Sequence, residues 1–145
     1  MTQPVHSDAT ALWRRWLARG WYSWGLSLGH WGLRLGERAL FDAARGSFDR
    51  AASLWPIFAA PYYERGVLLT RELGMHDAGL DDFSRAITLA PDWPDPYLQR
   101  GLTARFHGDP QAAAADLRRF IELAPASRWR GEAERQLGQI VAGEG

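Results

Sequence analysis

The chain has 145 residues, room for one compact domain or a short solenoid, and its 46% apolar and 23% charged residues exclude a disordered chain. It has no Cys, which excludes disulfides and thiolate metal sites. Its net charge is zero, split as +3 over residues 1–58 (seven Arg, four acids) and −3 over residues 59–145 (ten Arg, thirteen acids), too weak a basic face to predict nucleic-acid binding. Only three Val and four Ile occur, whereas Ala, Leu, Arg and Glu dominate, so the expected structure is all-helical. Every basic residue is Arg and none is Lys, which reads as compositional bias rather than as a use of guanidinium geometry.

Residues 1–24 read as a polar tail, disordered over residues 1–10, and then a Trp/Arg-rich helix. Five of the eight Trp fall within residues 13–31. Trp13, Trp16, Leu17, Trp24, Leu28, Trp31 and Leu35 form one helical stripe, with Arg14, Arg15 and Arg19 off it. Gly20, Gly25, Gly29, Gly32 and Gly36 interrupt the pattern. A Gly costs about 1 kcal/mol against Ala inside a helix, so close packing is expected in return, with a helix break near Gly20. Three readings of the stripe stand open. It packs as a cap on the fold, it anchors a partner protein through Trp13, Trp16, Trp24 and Trp31, or it lies at a membrane interface. No basic stretch followed by an apolar one marks a signal peptide, and no window approaches 18 apolar residues. Cytoplasmic residence, or a place peripheral to a membrane, is the expectation.

From residue 25 onward the chain repeats. Pro56, Pro91 and Pro125 are spaced 35 and 34 apart, and Gly32, Gly66 and Gly101 are spaced 34 and 35. Phe48, Phe83 and Leu117 keep the same register, as do Ala51, Ala86 and Phe120, and Ala44, Gly79 and Ala113. One extra residue lies between Gly66 and Gly79. The small columns suit close approach of two helices, and the Phe and Ala columns, three apart, join Leu54, Leu89 and Leu123 in a buried stripe. Pro ends the second helix of each unit, because it lacks the N–H and biases its neighbour away from helix. Gly74 to Asp77 and Gly108 to Pro110 supply the turns, with Asp109 as N-cap. The units are residues 25–58, 59–93 and 94–127. Residues 128–145 form a closing helix and tail, with Ser127 as its cap and Trp129, Leu137 and Ile140 sealing the end.

A helix–turn–helix of this length resembles the tetratricopeptide repeat. Tyr62 and Tyr97 stand near the family's first aromatic position, and Gly66 and Gly101 match its Gly. Gly79 and Ala113 match the small residue, Phe83 and Leu117 the next aromatic, and Pro91 and Pro125 the Pro. The first unit departs most, with Leu28 where an aromatic belongs. The resemblance implies an all-α, short right-handed α-solenoid of about three repeats with N- and C-terminal capping helices. It also implies a protein-binding role, the first helix of each unit lining a concave groove. Mapped onto this chain, that groove is lined by Tyr63, Glu64, Val67, Thr70, Arg71, Leu98, Gln99, Leu102 and Arg105. Some relatives capture a C-terminal carboxylate with Lys and Asn, and this chain has neither.

No catalytic constellation emerges. His6, His30, His76 and His107 have no metal-ligand spacing, Asp81 and Asp82 diverge by about 100° on a helix, and no Ser has a His and an acid at useful spacing. The expectation is a non-enzyme without cofactor or metal, acting as an adaptor or accessory subunit of a larger assembly. Its partner is a protein or peptide segment, and self-association through the stripe is compatible. The alternative is a peripheral membrane protein or membrane-complex subunit anchored by residues 12–35. Arg50, Arg85 and Arg119, in register on the second helices, read as pairing within the fold.

Overall fold

The computed structural model describes residues 6–143. Seven helices follow one another: α1 His6–Leu35, α2 Arg38–Leu54, α3 Ala59–Arg71, α4 His76–Leu89, α5 Pro94–His107, α6 Pro110–Leu123 and α7 Arg130–Gly143. The first 24 positions are therefore not tail and helix in the proportion expected. Residues 6–10 are helical, and the rest of the expected tail, residues 1–5, lies outside the described residues, as do residues 144 and 145.

The stops are local chemistry. Gly36 and Gly74 adopt φ of +68° and +67°, which only Gly takes without strain, and they end α1 and shape the α3–α4 turn. That turn, residues 72–75, holds the extra residue of the middle unit. Asp109 accepts a hydrogen bond from the Gln111 amide at 2.9 Å, with Pro110 at the first helical position. Ser127 Oγ accepts from the Trp129 amide ahead of α7. The second helices end just before Pro56, Pro91 and Pro125. The Tyr62 and Tyr97 hydroxyls donate to the Pro56 and Pro91 carbonyls, at 3.2 and 2.9 Å, and Arg130 Nη1 donates to the Pro125 carbonyl.

Each helix packs chiefly on its chain neighbours, and α1, α3, α5 and α7 also touch in succession. The first helices thus share one face of the stack and α2, α4 and α6 the other. Phe48, Phe83 and Leu117 are buried, as are Ala51, Ala86 and Phe120, and Ala44, Gly79 and Ala113. A Cβ on Gly66 would lie 2.7 Å from the Phe83 ring, and one on Gly101 3.0 Å from Leu117. These glycines are the contact points of two helix pairs.

The first pair differs. It is Gly25, not Gly32, that meets Phe48, with an added Cβ at 2.6 Å, and Gly32 meets Phe41 instead. The place of Gly66 is thus taken by a residue 41 positions earlier. The hairpin is about one turn longer in each helix: α1 runs ten residues past Gly25 (to Leu35), whereas α3 runs five past Gly66 (to Arg71). The aromatic expected to be missing is then present. Tyr22 packs on Phe48 and Phe58, as Tyr63 packs on Phe83 and Trp93. Trp21 lies under Arg50 at 4.7 Å, as Tyr62 lies under Arg85 at 5.8 Å, and Tyr97 lies beside Arg119. The recurrent Arg column serves this pairing.

Helix α1 does not break at Gly20. It is continuous, because no residue before Gly36 needs a positive φ and because Gly25 and Gly32 gain close contact with α2 in return for their helix cost. At the other end, Ala133, Leu137 and Ile140 close the core, whereas Trp129, expected to join them, is exposed.

Candidate functional site

The groove lies along the face shared by the first helices. Two cavities occupy it. One, of about 250 Å³, sits between α1 and α3, walled by Leu26, Leu33, Val67 and Leu68, with His30 and Glu64 supplying polar edges. The second, of about 340 Å³, sits between α3, α5 and the start of α7, lined by Leu98, Gln99, Leu102, Phe106 and Trp129 among others. Arg71 lines both.

Of the residues expected there, Glu64, Val67, Arg71, Gln99 and Leu102 line one or both cavities. Thr70 and Leu98 line the second cavity as floor, for both are buried. The Thr70 hydroxyl donates to the Gly66 carbonyl at 2.9 Å, and its methyl occupies the space a Cβ on Gly79 would need. Tyr63 and Arg105 line neither cavity. Tyr63 is held between Phe83 and Trp93, beside Gln99. Arg105 lies over the Phe106 ring at 4.7 Å.

Leu26, Leu33, Phe106 and Trp129 are among the lining residues not expected from the sequence. Leu26 and Leu33 belong to α1, whose groove face is legible only once the 41-residue offset is known. Phe106 stands 68% exposed at the end of α5, and Trp129 stands 48% exposed under Arg128. An exposed aromatic at a cavity mouth is the signal that could have found them. His76 and His107, which line the second cavity, stack at 3.5 Å between ring centroids with planes 10° apart.

The groove is electrostatically mixed. Burial, then the charge of Asp95, raises the Glu64 carboxyl above the usual carboxylate range. Burial also pushes the Tyr63 phenol up to about 12, with Asp95 and Glu64 adding to it. Away from the groove, burial raises the Asp82 carboxyl against the opposing hydrogen bonds from Arg65. Asp81 beside it is exposed. No group of three or more His, Asp or Glu is placed to hold a metal ion among the described residues.

The Trp stripe faces away from the core. Trp13, Trp16, Leu17, Trp24, Trp31 and Leu35 are exposed and Leu28 is half-buried, while Ala18, Tyr22, Gly25 and Gly32 make the packed face. Helix α1 packs on α2 through Ala18, Tyr22, Gly25 and Gly32, while its Trp stripe points outward. No described helix is long and apolar enough to cross a membrane.

No family model and no curated protein matches the sequence. Solved structures do. The Arabidopsis OM64 TPR domain superposes with a TM-score of 0.75 at 21% identity, over 87% of this chain and 98% of that one. The second TPR domain of human RPAP3, solved in complex with an HSP70 peptide, gives 0.70 at 17% identity over 85% and 97%. The Yersinia enterocolitica type III secretion chaperone SycD, in complex with a peptide of the translocator YopD, gives 0.75 at 14% identity over 88% and 94%. The chain has the tetratricopeptide-repeat fold.

Proposed function

We propose that this tetratricopeptide-repeat chain is a non-catalytic interaction module, an adaptor or accessory subunit that holds a segment of a partner protein along α1, α3 and α5. The observation that carries the reading is the pair of apolar-walled cavities meeting at Arg71. Apolar side chains of a bound segment fill the two cavities, and the exposed Arg71 guanidinium pairs with an acidic group between them. Peptide complexes of the similar RPAP3 and SycD domains support this mode of binding. The test begins with purification of the tagged chain from its native cells in gentle detergent, followed by mass spectrometry. The recovered partner's segment is then titrated against wild type and Arg71→Glu. Weakening of about tenfold by the charge reversal supports the reading. Recovery of the chain alone, or equal affinity for both proteins, counts against it.

Attachment to a membrane surface through residues 12–35 is the second reading. What favours it is the exposed Trp and Leu of α1 beside Arg14, Arg15, Arg19 and Arg34, with no acid between Asp8 and Glu37. Co-sedimentation with anionic vesicles tests it; a chain that stays in the supernatant ends that reading.

A further inference from the structure

The stripe on α1 holds a second, finer pattern. Trp13, Leu17, Gly20, Trp24, Ser27 and Trp31 are spaced by four and three alternately, the spacing of a seam between two packed helices. All six are exposed, and none is charged. Gly20 has no atom within 4 Å of where a Cβ would stand, so it is an open notch in the seam. The Ser27 hydroxyl already donates to the Ser23 carbonyl at 3.0 Å, so burying it strands no donor.

The location is as telling as the pattern. Gly25, Gly66 and Gly101 are equivalent, each meeting the aromatic or Leu of its second helix. The residue before each is then Trp24, Arg65 and Arg100. Arg65 reaches back to Asp49 on α2 at 2.7 Å, and Arg100 reaches back to Ser84 on α4 at 3.0 Å. That position is where each unit grips the second helix of the unit before it. Among the described residues no helix precedes α1, and the gripping residue there is Trp. Among the described residues this face is aromatic and open.

We infer that this face pairs with the same face of a second copy, the two α1 helices running antiparallel about a twofold axis near residue 22. The occupant follows from the order of large and small residues. In an antiparallel pair centred there, residue numbers facing each other add to 44. Trp24 of each chain falls on Gly20 of the other, Leu17 on Ser27, and Trp13 on Trp31. Each large side chain meets a small one, and the remaining pair is aromatic on aromatic, an arrangement that a twofold axis requires to be self-complementary. Trp13, Leu17, Trp24 and Trp31 are 51%, 46%, 56% and 55% exposed. At about 250 Å² for a whole Trp, the three Trp of the seam offer roughly 400 Å² per chain, so about 800 Å² in a pair, and Leu17 brings the total near the roughly 1,000 Å² that a specific interface needs. Arg15 and Arg19 do not oppose the pairing, since both are turned to the Trp55 ring on the other side of α1.

The test is sedimentation of the full chain at tens of micromolar without detergent, for wild type and Gly20→Gln. The substitution fills the notch yet replaces a helix breaker in open space, so the monomer loses nothing. Wild type runs at twice the monomer mass, and Gly20→Gln runs at the monomer mass with a Tm equal to or above wild type. Register is read separately, because the natural chain has no Cys. A Leu17→Cys chain and a Ser27→Cys chain cross-link when mixed, and neither cross-links alone. A monomeric wild type, a Gly20→Gln variant that stays dimeric, or cross-linking of either Cys variant by itself overturns the inference. A monomer that pellets with phosphatidylcholine–phosphatidylglycerol vesicles overturns it in favour of lipid. None of these outcomes bears on the groove, which lies on a different face of α1.

Discussion

Arg65 on α3 holds Asp82 on α4 by two parallel bonds, Nε to Oδ2 at 2.7 Å and Nη2 to Oδ1 at 2.5 Å, and Arg100 repeats the grip on Asp116 in the next unit. Both acids are buried. Burial, with the charges of Asp49 and Asp81 adding to it, raises the Asp82 carboxyl even while Arg65 pulls it down, and an uncompensated buried guanidinium or carboxylate costs more than an apolar pair of the same shape. Removing one partner is therefore worse than removing both. Asp82→Ala is expected to cost about 2–3 kcal/mol in urea unfolding, under the 3–5 of a fully enclosed pair because Asp49 still neutralises Arg65. Arg65→Met with Asp82→Leu is expected to lie within about 1 kcal/mol of wild type. A double variant as unstable as Asp82→Ala would show that the pair itself carries stability.

Gly25 and Gly29 stand one turn apart on α1 and are expected to respond oppositely to Ala. A Cβ at Gly25 would lie 2.6 Å from the Phe48 ring, and one at Gly29 would meet nothing within 4 Å. Gly25→Ala forces the ring to move and is expected to cost about 1–3 kcal/mol. Gly29→Ala gains helix propensity and is expected to add about 0.5–1 kcal/mol. Thermal unfolding of the two variants decides. Equal and positive effects would mean that Gly25 is not the contact point of the first pair.

That contact also marks the limit of what the sequence reveals. The second and third units are legible because each of their columns has a counterpart 34 or 35 residues away; the structure buries the Phe83/Leu117, Ala86/Phe120 and Gly79/Ala113 columns, with Leu89 and Leu123 only half-buried at the end of the stripe. The first unit is not legible by the same ruler, since its hairpin gained about a turn in each helix. A fixed period then pairs Gly32 with Gly66 and finds Leu28 where an aromatic belongs, although Trp21 and Tyr22 sit seven residues before the expected places. The second glycine–aromatic contact, Gly32 on Phe41, disguises the offset. Within the groove, the residues on α3 and α5 follow from the resemblance to the tetratricopeptide repeat, but which of them are buried does not. Thr70 is drawn inward by the bare backbone of Gly79 on the facing helix, a tertiary fact with no local signature.

Phe106 and Trp129 are expected to carry more of the groove's binding than Leu102. Leu102 lines the second cavity but also packs on the core, so Leu102→Glu mixes loss of binding with loss of stability. Phe106 is exposed in the free chain, and a Glu there disturbs nothing buried. Phe106→Glu is expected to leave the Tm within a degree or so of wild type and to weaken a bound segment by about 2 kcal/mol, as a central aromatic anchor does. Calorimetric titration of the partner segment measures this. Unchanged affinity would place the bound segment in the first cavity alone.

Glu64 makes the groove sensitive to pH in a direction that can be worked out. Burial first, and Asp95 second, raise its carboxyl above the value it has in the unfolded chain. A carboxyl that holds its proton more tightly when folded favours the folded state below the ordinary carboxylate range. That contribution is lost as pH rises through the raised folded value, so at neutral pH the ionised Glu64 opposes folding. Glu64→Gln removes the cost without changing shape. Its Tm is expected to exceed wild type at neutral pH, with the gap narrowing as the solution is acidified and vanishing once both folded and unfolded carboxyls are protonated. A gap that widens on acidification would mean that the Glu64 carboxylate is stabilised in the folded chain by a partner, and that the raised value is wrong in sign. Binding in the groove is expected to follow the same titration. A bound segment that brings a cation to Glu64 restores its charge and releases a proton, so its affinity is expected to fall as pH drops through the raised value, whereas a segment held by Arg71 alone binds without that dependence.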